Sequence, residues 1–477
     1  MSAVKRSYRI WLFWVISIQC LAVLVLVNWM HHRNKTRLLR RLTLKVQAIQ
    51  QAMQWQRVLH WLGPKSALAQ SPAPLSNPRN RNIPDHYHRL EAIYTQMRQL
   101  AADYPEVVSI QKIGESTTLS LPIYAIKISD YPQEEEDETA ILFTGLHHAR
   151  EPVGTLVCMR LAERLAADYR RHARVRRWLD ELEIWIVPVV NPDGYKFLID
   201  HQVPFPWWRK NLRDNDGDGY FDPIIDGVDL NRNYNFNWEQ GGEGNPSSWF
   251  YRGTHPFSEK EIIAIKNLAL RENVVCGISF HTYGEAILYP WGNYYPPPDQ
   301  KLILQVAHEM AERMLRLNGR DAYSVLPLNG RVGQSSVWLY GRLRSIDFIV
   351  ELGQEHFPRQ HRVEKILKSG VSAAYYLIER SQRSGLWGHV RDAQTANPVR
   401  AKIRVRGWEA RHVYPRVSES RFGRFERWLL PGKYTLKIEA EGYQTKTVKN
   451  VRIYPDRLTL IEINLERKQS SLPMSHH

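Results

Sequence analysis

Residues 144–154 read TGLHHAREPVG and place two histidines, an arginine and a glutamate within five positions, directly after an apolar run. Imidazole and carboxylate together are metal ligands. Two His and one Glu hold Zn²⁺ and leave a coordination position open for water. The metal makes that water acidic near neutral pH, and a nearby carboxylate can take its proton. Glu151 lies four residues after His147 and three after His148, and either separation puts the pair on one face of a helical turn. Spacing therefore leaves the choice of histidine open, and a further ligand has to come from elsewhere in the chain.

The elements that must position such ligands are apolar runs that stop at polar residues. Ala140–Leu146 leads into the cluster, Leu182–Val190 into Asn191-Pro-Asp-Gly194, Val274–Phe280 into His281, and Ile346–Val350 into Glu351. In an α/β sheet, sites form outside the carboxyl ends of the strands. One histidine after one strand is ordinary, but four such strand ends imply one convergent site. Two more runs, Val107–Ile113 and Ile123–Ile128, join helix-like periods at about 153–178, 258–272, 299–318 and 361–380. The alternation implies an α/β domain over 85–384, with a mostly parallel or mixed sheet covered by helices. Past Ser384, short alternating runs such as AKIRVRG and LTLIEINLER imply a small antiparallel β-sandwich at 385–467, with a tail at 468–477.

HARE at 148–151, NPDGY at 191–195, WRKN at 208–211, DLNRNY at 229–234, HTY at 281–283 and the Glu351 of FIVELG follow one another along the chain. In this order they resemble the zinc carboxypeptidases of the carboxypeptidase A type, over most of 85–380. The resemblance implies a mixed eight-stranded sheet flanked by helices, one catalytic Zn²⁺, and hydrolysis at peptide or protein C-termini. It implies His148, Glu151 and His281 as metal ligands, with His147 in the scaffold. Glu351 would be the general base that passes its proton to the leaving amine, and Arg209 would stabilise the oxyanion. Asn231 and Arg232 would hold the substrate's terminal carboxylate, where a guanidinium fork pairs both oxygens. Arg150 would sit in a neighbouring subsite. One position departs from the family: Asn329 falls where a mobile Tyr is expected, and Tyr323 offers a replacement hydroxyl. The loop that follows presents Ser335, Ser336 and Val337 and no acid, so it does not support a preference for C-terminal Lys or Arg.

GHVRDAQTANPVRAKIRV and GRFERWLLPGKYTLKIEAEGY resemble the transthyretin-like, carboxypeptidase regulatory-like domains, over about 388–465. That resemblance implies a stabilising or partner-binding accessory without catalytic residues, whose deletion leaves some hydrolysis where the remainder folds. Between the Arg209 and Asn231 motifs, Asp214, Asp216 and Asp218 alternate, Gly219 follows and Asp222 comes later. This is the first half of an EF-hand-like Ca²⁺ loop, with Ile225 where its bidentate Glu belongs. Either Ca²⁺ braces this segment or the loop is simply solvated.

Ile10–Met30 is apolar and long enough to span a bilayer. It reads as an uncleaved transmembrane anchor within 1–31, followed by a basic amphipathic stalk and a Pro/Ser linker at 32–84. Basic residues flank the span on both sides, so charge does not fix its orientation. A peptidase with a calcium-like loop suits the extracytoplasmic side, periplasmic or extracellular. Cys20, Cys158 and Cys276 make no disulfide framework. The net charge of +16 belongs to residues 1–84, which hold thirteen Lys/Arg and no acid; the rest sets 52 bases against 49 acids. That near-neutral body argues against a nucleic-acid partner. Two other functions compete with the carboxypeptidase: a cell-wall peptide hydrolase of the same fold, and an inactive peptide-binding module. The presence of His148, Glu151, His281, Arg209 and Glu351 speaks against the last.

Overall fold

The fully buried runs TAILFTG and CGISFHT are neighbours at the centre of a sheet, as expected of parallel strands covered on both faces. The structure is a computed structural model that describes residues 83–84, 86–201, 207–291, 296–329 and 332–469. The transmembrane anchor expected in 1–31 and the stalk and linker expected in 32–84 lie outside the described residues, but for Ile83 and Pro84. Among the described residues no helix is long and apolar enough to cross a membrane. The described residues divide into one large body and a separate unit, Gly219–Asp222.

The large sheet has eight strands: β1 (Val108–Glu115), β2 (Pro122–Ile128), β3 (Thr139–Gly145), β4 (Leu182–Val187), β5 (Cys276–Thr282), β6 (Ala286–Tyr289), β7 (Ser324–Pro327) and β8 (Ile346–Leu352). Their order is β1-β2-β4-β3-β5-β8-β6-β7. The four central strands, β4-β3-β5-β8, run parallel. β1 and β2 pair antiparallel on one side, and β6 pairs antiparallel with β8 on the other, so the sheet is mixed. In the β5–β8 register His281 lies opposite Glu351. Two of the chemically marked strand ends are thereby set side by side.

Among the described residues, eight helices accompany this sheet: α1 (Leu90–Asp103), α2 (Val153–Asp168), α3 (Ala173–Leu179), α4 (Pro192–Asp200), α5 (Lys260–Arg271), α6 (Gln300–Ala311), α7 (Ser335–Leu343) and α8 (Gln360–Ser381). Asn191 caps α4, its Oδ1 accepting from the Gly194 amide at 2.9 Å, with Pro192 in the first turn. Gly194 has to be glycine: a Cβ there would lie 2.4 Å from the Lys210 carbonyl oxygen. The single helix expected at 153–178 is two: the chain leaves the helix at His172, whose backbone is extended at φ −125° and ψ 110°. The helix expected to reach 318 stops at Ala311, and the chain turns at Gly319 with φ +73°.

β9 (Gly385–Asp392), β10 (Lys402–Val405), β11 (Arg416–Val417), β12 (Arg424–Trp428), β13 (Gly432–Glu439), β14 (Lys446–Ile453) and β15 (Leu458–Leu465) form two small sheets, β11-β10-β13-β14 and β12-β9-β15. Leu386, Val390, Ile403, Val405, Phe425, Leu436, Ile438 and Ile463 fill the space between them. This sandwich is not wholly antiparallel: β15 pairs parallel with β9. Cys158 and Cys276 are buried and free.

Candidate active site

The ends of β3, β5 and β8 converge. His148 and Glu151 come from the turn after β3, and His281 from β5 itself. His148 Nδ1 lies 2.9 Å from Glu151 Oε1, His281 Nδ1 lies 2.8 Å from Glu151 Oε2, and the two Nδ1 atoms are 3.1 Å apart. All three residues are buried, and one ligand atom from each lies within 4.8 Å of the others. Burial alone would raise the Glu151 carboxyl, but His148 and His281 outweigh it and hold the group well below the usual range. Burial lowers His281. An ionised carboxylate and two imidazoles without room for bulk water form a donor set that a cation completes. The set fits Zn²⁺ with a position left open.

His147 stays in the scaffold. Its Nε2 meets the Tyr234 hydroxyl at 2.9 Å and its Nδ1 meets Ser279 Oγ at 3.2 Å, away from Glu151. Burial holds it well below its usual value.

Asp229 joins two parts of the site. Its Oδ1 accepts from His148 Nε2 at 3.1 Å, and its Oδ2 accepts from Arg209 Nε and an Arg209 terminal nitrogen at 3.0 and 2.8 Å. A carboxylate behind a ligating imidazole fixes its tautomer and ring orientation. The remaining Arg209 nitrogen points to Glu151 Oε1 at 3.6 Å. DLNRNY contains Asp229, but its role is visible only once His148, 81 residues away, comes beside it.

Asn231 stands behind His281. Its Nδ2 is 3.2 Å from His281 Nε2, and its Oδ1 accepts from the Ser335 amide at 2.9 Å. Arg232 donates to the Asn231 carbonyl at 2.6 Å. The guanidinium groups of Arg209 and Arg232 each lie 5.5 Å from the Phe250 ring. Arg150 donates to the Trp207 carbonyl at 3.2 Å and lies 5.9 Å from the Trp249 ring. Three arginines are thus held against partly exposed aromatic plates, which the WF pair at 249–250 supplies. Nothing in the spacing of that pair announces this.

Glu351 is partly buried on β8 beside His281, and Gly284 leaves room next to it: a Cβ there would stand 3.2 Å from Glu351 Cβ. His356, on the loop after β8, is a second residue that the sequence did not single out. Its Nδ1 meets Thr282 Oγ1 at 3.3 Å, and burial first, then the Arg150 charge, lower it to about 4. Tyr323 is no mobile replacement hydroxyl: it is buried and accepts from the Gly353 amide at 3.3 Å. Asn329 sits in the left-handed region with φ +47°.

The calcium expectation for Asp214, Asp216, Asp218 and Asp222 is not supported. The first three carboxylates converge on an open loop, but Asp214 accepts from the Gly217 amide at 2.9 Å and Asp216 from the Asp218 amide at 3.4 Å. Acids that close their own turns need no ion to explain them.

Residues 93–372 match the zinc carboxypeptidase family, Peptidase_M14. Mouse carboxypeptidase A4 is 33% identical over 273 residues, covering 56% of this chain and 62% of that protein. A zinc carboxypeptidase of Saccharothrix mutabilis subsp. capreolus is 29% identical over 269 residues, covering 54% of this chain and 59% of that one. The chain thus spans less than two thirds of the length of these relatives. Among solved structures, bovine thrombin-activatable fibrinolysis inhibitor, in complex with tick carboxypeptidase inhibitor, superposes with a TM-score of 0.53 at 24% identity, covering 62% of this chain and 98% of that one. Carboxypeptidase A from Helicoverpa armigera gives 0.54 at 20%, covering 68% and 81%. These two show the fold. The family match takes in more than half of the residues, including His148, Glu151, His281 and Glu351, and the chain belongs to the zinc carboxypeptidase family.

Proposed function

We propose that this protein is a zinc-dependent metallocarboxypeptidase that hydrolyses the C-terminal bond of peptides. The convergence of His148, Glu151 and His281, with Glu351 in register beside His281, carries the reading. His148, Glu151 and His281 would hold Zn²⁺, which would supply a Lewis acid for the scissile carbonyl and the attacking water. Glu351 takes that water's proton on its carboxylate and delivers it to the leaving amine nitrogen. Arg209, anchored by Asp229, faces the negative charge that develops on the carbonyl oxygen. Asn231 and Arg232 bind the substrate's terminal carboxylate, and Arg150 lies in the next subsite.

Zinc-loaded full-length protein is expected to release the last residue of N-blocked dipeptides and to refuse their C-terminal amides. Glu351→Gln should lower kcat by about 10² to 10⁴-fold. A zinc-loaded protein silent on every dipeptide would sink this reading and favour a cell-wall peptide hydrolase or an inactive binding module.

The β-sandwich is proposed as a transthyretin-like accessory domain. We also propose that Ile10–Met30, long and apolar enough to span a bilayer, anchors the protein, with the catalytic domain outside the cytoplasm, the side that suits a peptidase. A reporter fused after residue 84 that gives a cytoplasmic signal would overturn the placement.

A further inference from the structure

The β-sandwich and the end of α7 enclose a groove of about 1300 Å³, and no residue of the proposed mechanism lines it. Five bases do, Arg342, Arg400, Lys402, Arg404 and Arg411, against two acids, Glu439 and Glu441. The chain beyond residue 84 is nearly neutral, with 52 bases and 49 acids. An excess of one sign gathered in a single concavity therefore stands apart from the rest of the surface. Concave protein walls lined by one sign of charge focus the field and draw in the opposite sign.

The strand period builds one wall. Val399, Ala401, Ile403 and Val405 are buried in the core of the sandwich, so the alternate Arg400, Lys402 and Arg404 stand outward in a row. Successive members of such a row are about 7 Å apart along the strand. The last turn of α7 adds Arg342, whose guanidinium lies 4.4 Å from the ring of Tyr414, a side chain that is 53% exposed. Arg411 comes from the loop that carries Tyr414. Arg404 is paired with Glu439 at 2.8 Å. Arg342, Arg400, Lys402 and Arg411 make no ion pair among the described residues. Four like charges around one groove repel one another, and an arriving anion relieves that repulsion.

We propose that this groove binds an extended acidic segment of a polypeptide. Guanidinium forks pair both oxygens of a carboxylate. An extended peptide repeats its side chains on one face at the same two-residue spacing as Arg400, Lys402 and Arg404, so acids at alternate positions meet the row in register. Pro398, Val413, Pro415 and the Tyr414 ring line the groove between the bases. They suit the residues between the acids and give a bare phosphate chain little to touch. The volume exceeds the roughly 300–1,000 Å³ of sites that enclose one small ligand, which fits a chain segment passing through. A flat bilayer does not enter a concavity. The arm at 1–84, with thirteen bases and no acid, is repelled from the groove rather than drawn in. The site does not depend on the carboxypeptidase reading.

The test titrates full-length protein into a fluorescent, C-terminally amidated peptide of alternating Glu and Ala and follows anisotropy. Wild type should bind it saturably, more weakly as salt rises. Arg400→Glu combined with Arg411→Glu should weaken binding about tenfold or more. Arg40→Glu combined with Arg41→Glu, in the basic arm, should leave it unchanged. A peptide alternating Lys and Ala should not bind. No binding of the Glu peptide at low salt overturns the proposal. So does equal affinity in wild type and the Arg400/Arg411 variant, which would mean that the basic arm holds the peptide. Heparin, or vesicles of anionic phospholipid, captured through Arg400 and Arg411 while the Glu peptide is not, would also refute it. Both side chains are exposed, so the melting temperature of the variant should match wild type. If the reversed pair does not fold, Arg400→Ser with Arg411→Ser takes its place.

Discussion

Asp229 is fully buried, and its two oxygens serve His148 and Arg209. Burial alone would raise this carboxyl; the Arg209 charge, and then that of Arg232, outweigh it and hold it well below the usual range. Asp229→Asn keeps the shape and loses the charge. Zn²⁺ affinity is expected to fall about 10 to 100-fold, because the imidazole loses the partner that orients it. Competition against a chromophoric chelator measures this, and an unchanged affinity would show that Asp229 serves Arg209 alone. At this scale the sequence was readable where ligands sit at strand ends. His148, Glu151, His281 and Glu351 each follow an apolar run, and sheet geometry gathers such ends. Asp229 and Phe250 were not readable, because their roles depend on partners that lie far off in the chain.

Among the elements, the starts of α4 and α5 meet over three acids. Asp193 accepts from Ser116 and from the Thr118 amide, and Glu261 accepts from Thr117 Oγ1. Glu259 takes the Asn211 Nδ2 bond at 2.7 Å and Arg213 at 2.9 Å. These contacts tie both helix starts to the end of β1 and to the segment after Arg209. Burial, and then the charges of Asp193 and Glu259, push Glu261 up to about 8 from a usual 4.5. The folded state thus holds this proton more tightly than the unfolded chain. Its stabilising contribution is complete below pH 4.5 and is lost as pH rises through about 8. Glu261→Gln should flatten that part of the profile by up to a few kcal/mol. Urea melts at pH 5 and pH 8.5 decide it, and equal slopes for wild type and variant would refute the assignment. The central strands were legible because they are continuous buried runs. α4 and α7 were missed because neither shows a helical period long enough to stand out: α4 is nine residues led by a loop-like NPDG, and α7 is nine residues buried along most of its length. The break after α2 was missed because arginines are good helix formers, and the break is a matter of backbone conformation at His172 alone.

For the whole molecule, the β-sandwich is built into the catalytic body. Asp299, at the start of α6, accepts from Arg344 at 2.8 Å, from Tyr340 at 2.8 Å and from Arg427 of β12 at 2.5 Å, and all of these groups are buried. Arg344 also donates to the Trp408 carbonyl at 2.7 Å. Arg416 of β11 donates to the carbonyls of Val274 and Leu343, each at 2.9 Å, and so closes the entry to β5 and the end of α7. The Tyr414 amide donates to Gly341 of α7 at 2.9 Å. An accessory that could be cut away would not leave such groups behind. Deletion of 385–477 strips Arg427 from Asp299 and uncovers the carbonyls that Arg416 satisfies, so the remainder is expected to aggregate rather than to hydrolyse. A point variant tests the same idea more sharply. Asp299→Ala leaves two guanidinium groups buried without their shared anion, which costs about 3 to 5 kcal/mol. Arg427→Met should cost less, because Arg344 still pairs with Asp299. If the three groups act as one unit, the double variant Asp299→Ala with Arg427→Met will be more stable than the two single losses predict. Denaturant melts of the four proteins provide the cycle. Additive losses, or a loss under about 1 kcal/mol for Asp299→Ala, would mean that water reaches the cluster and that the sandwich is held by its apolar contacts instead.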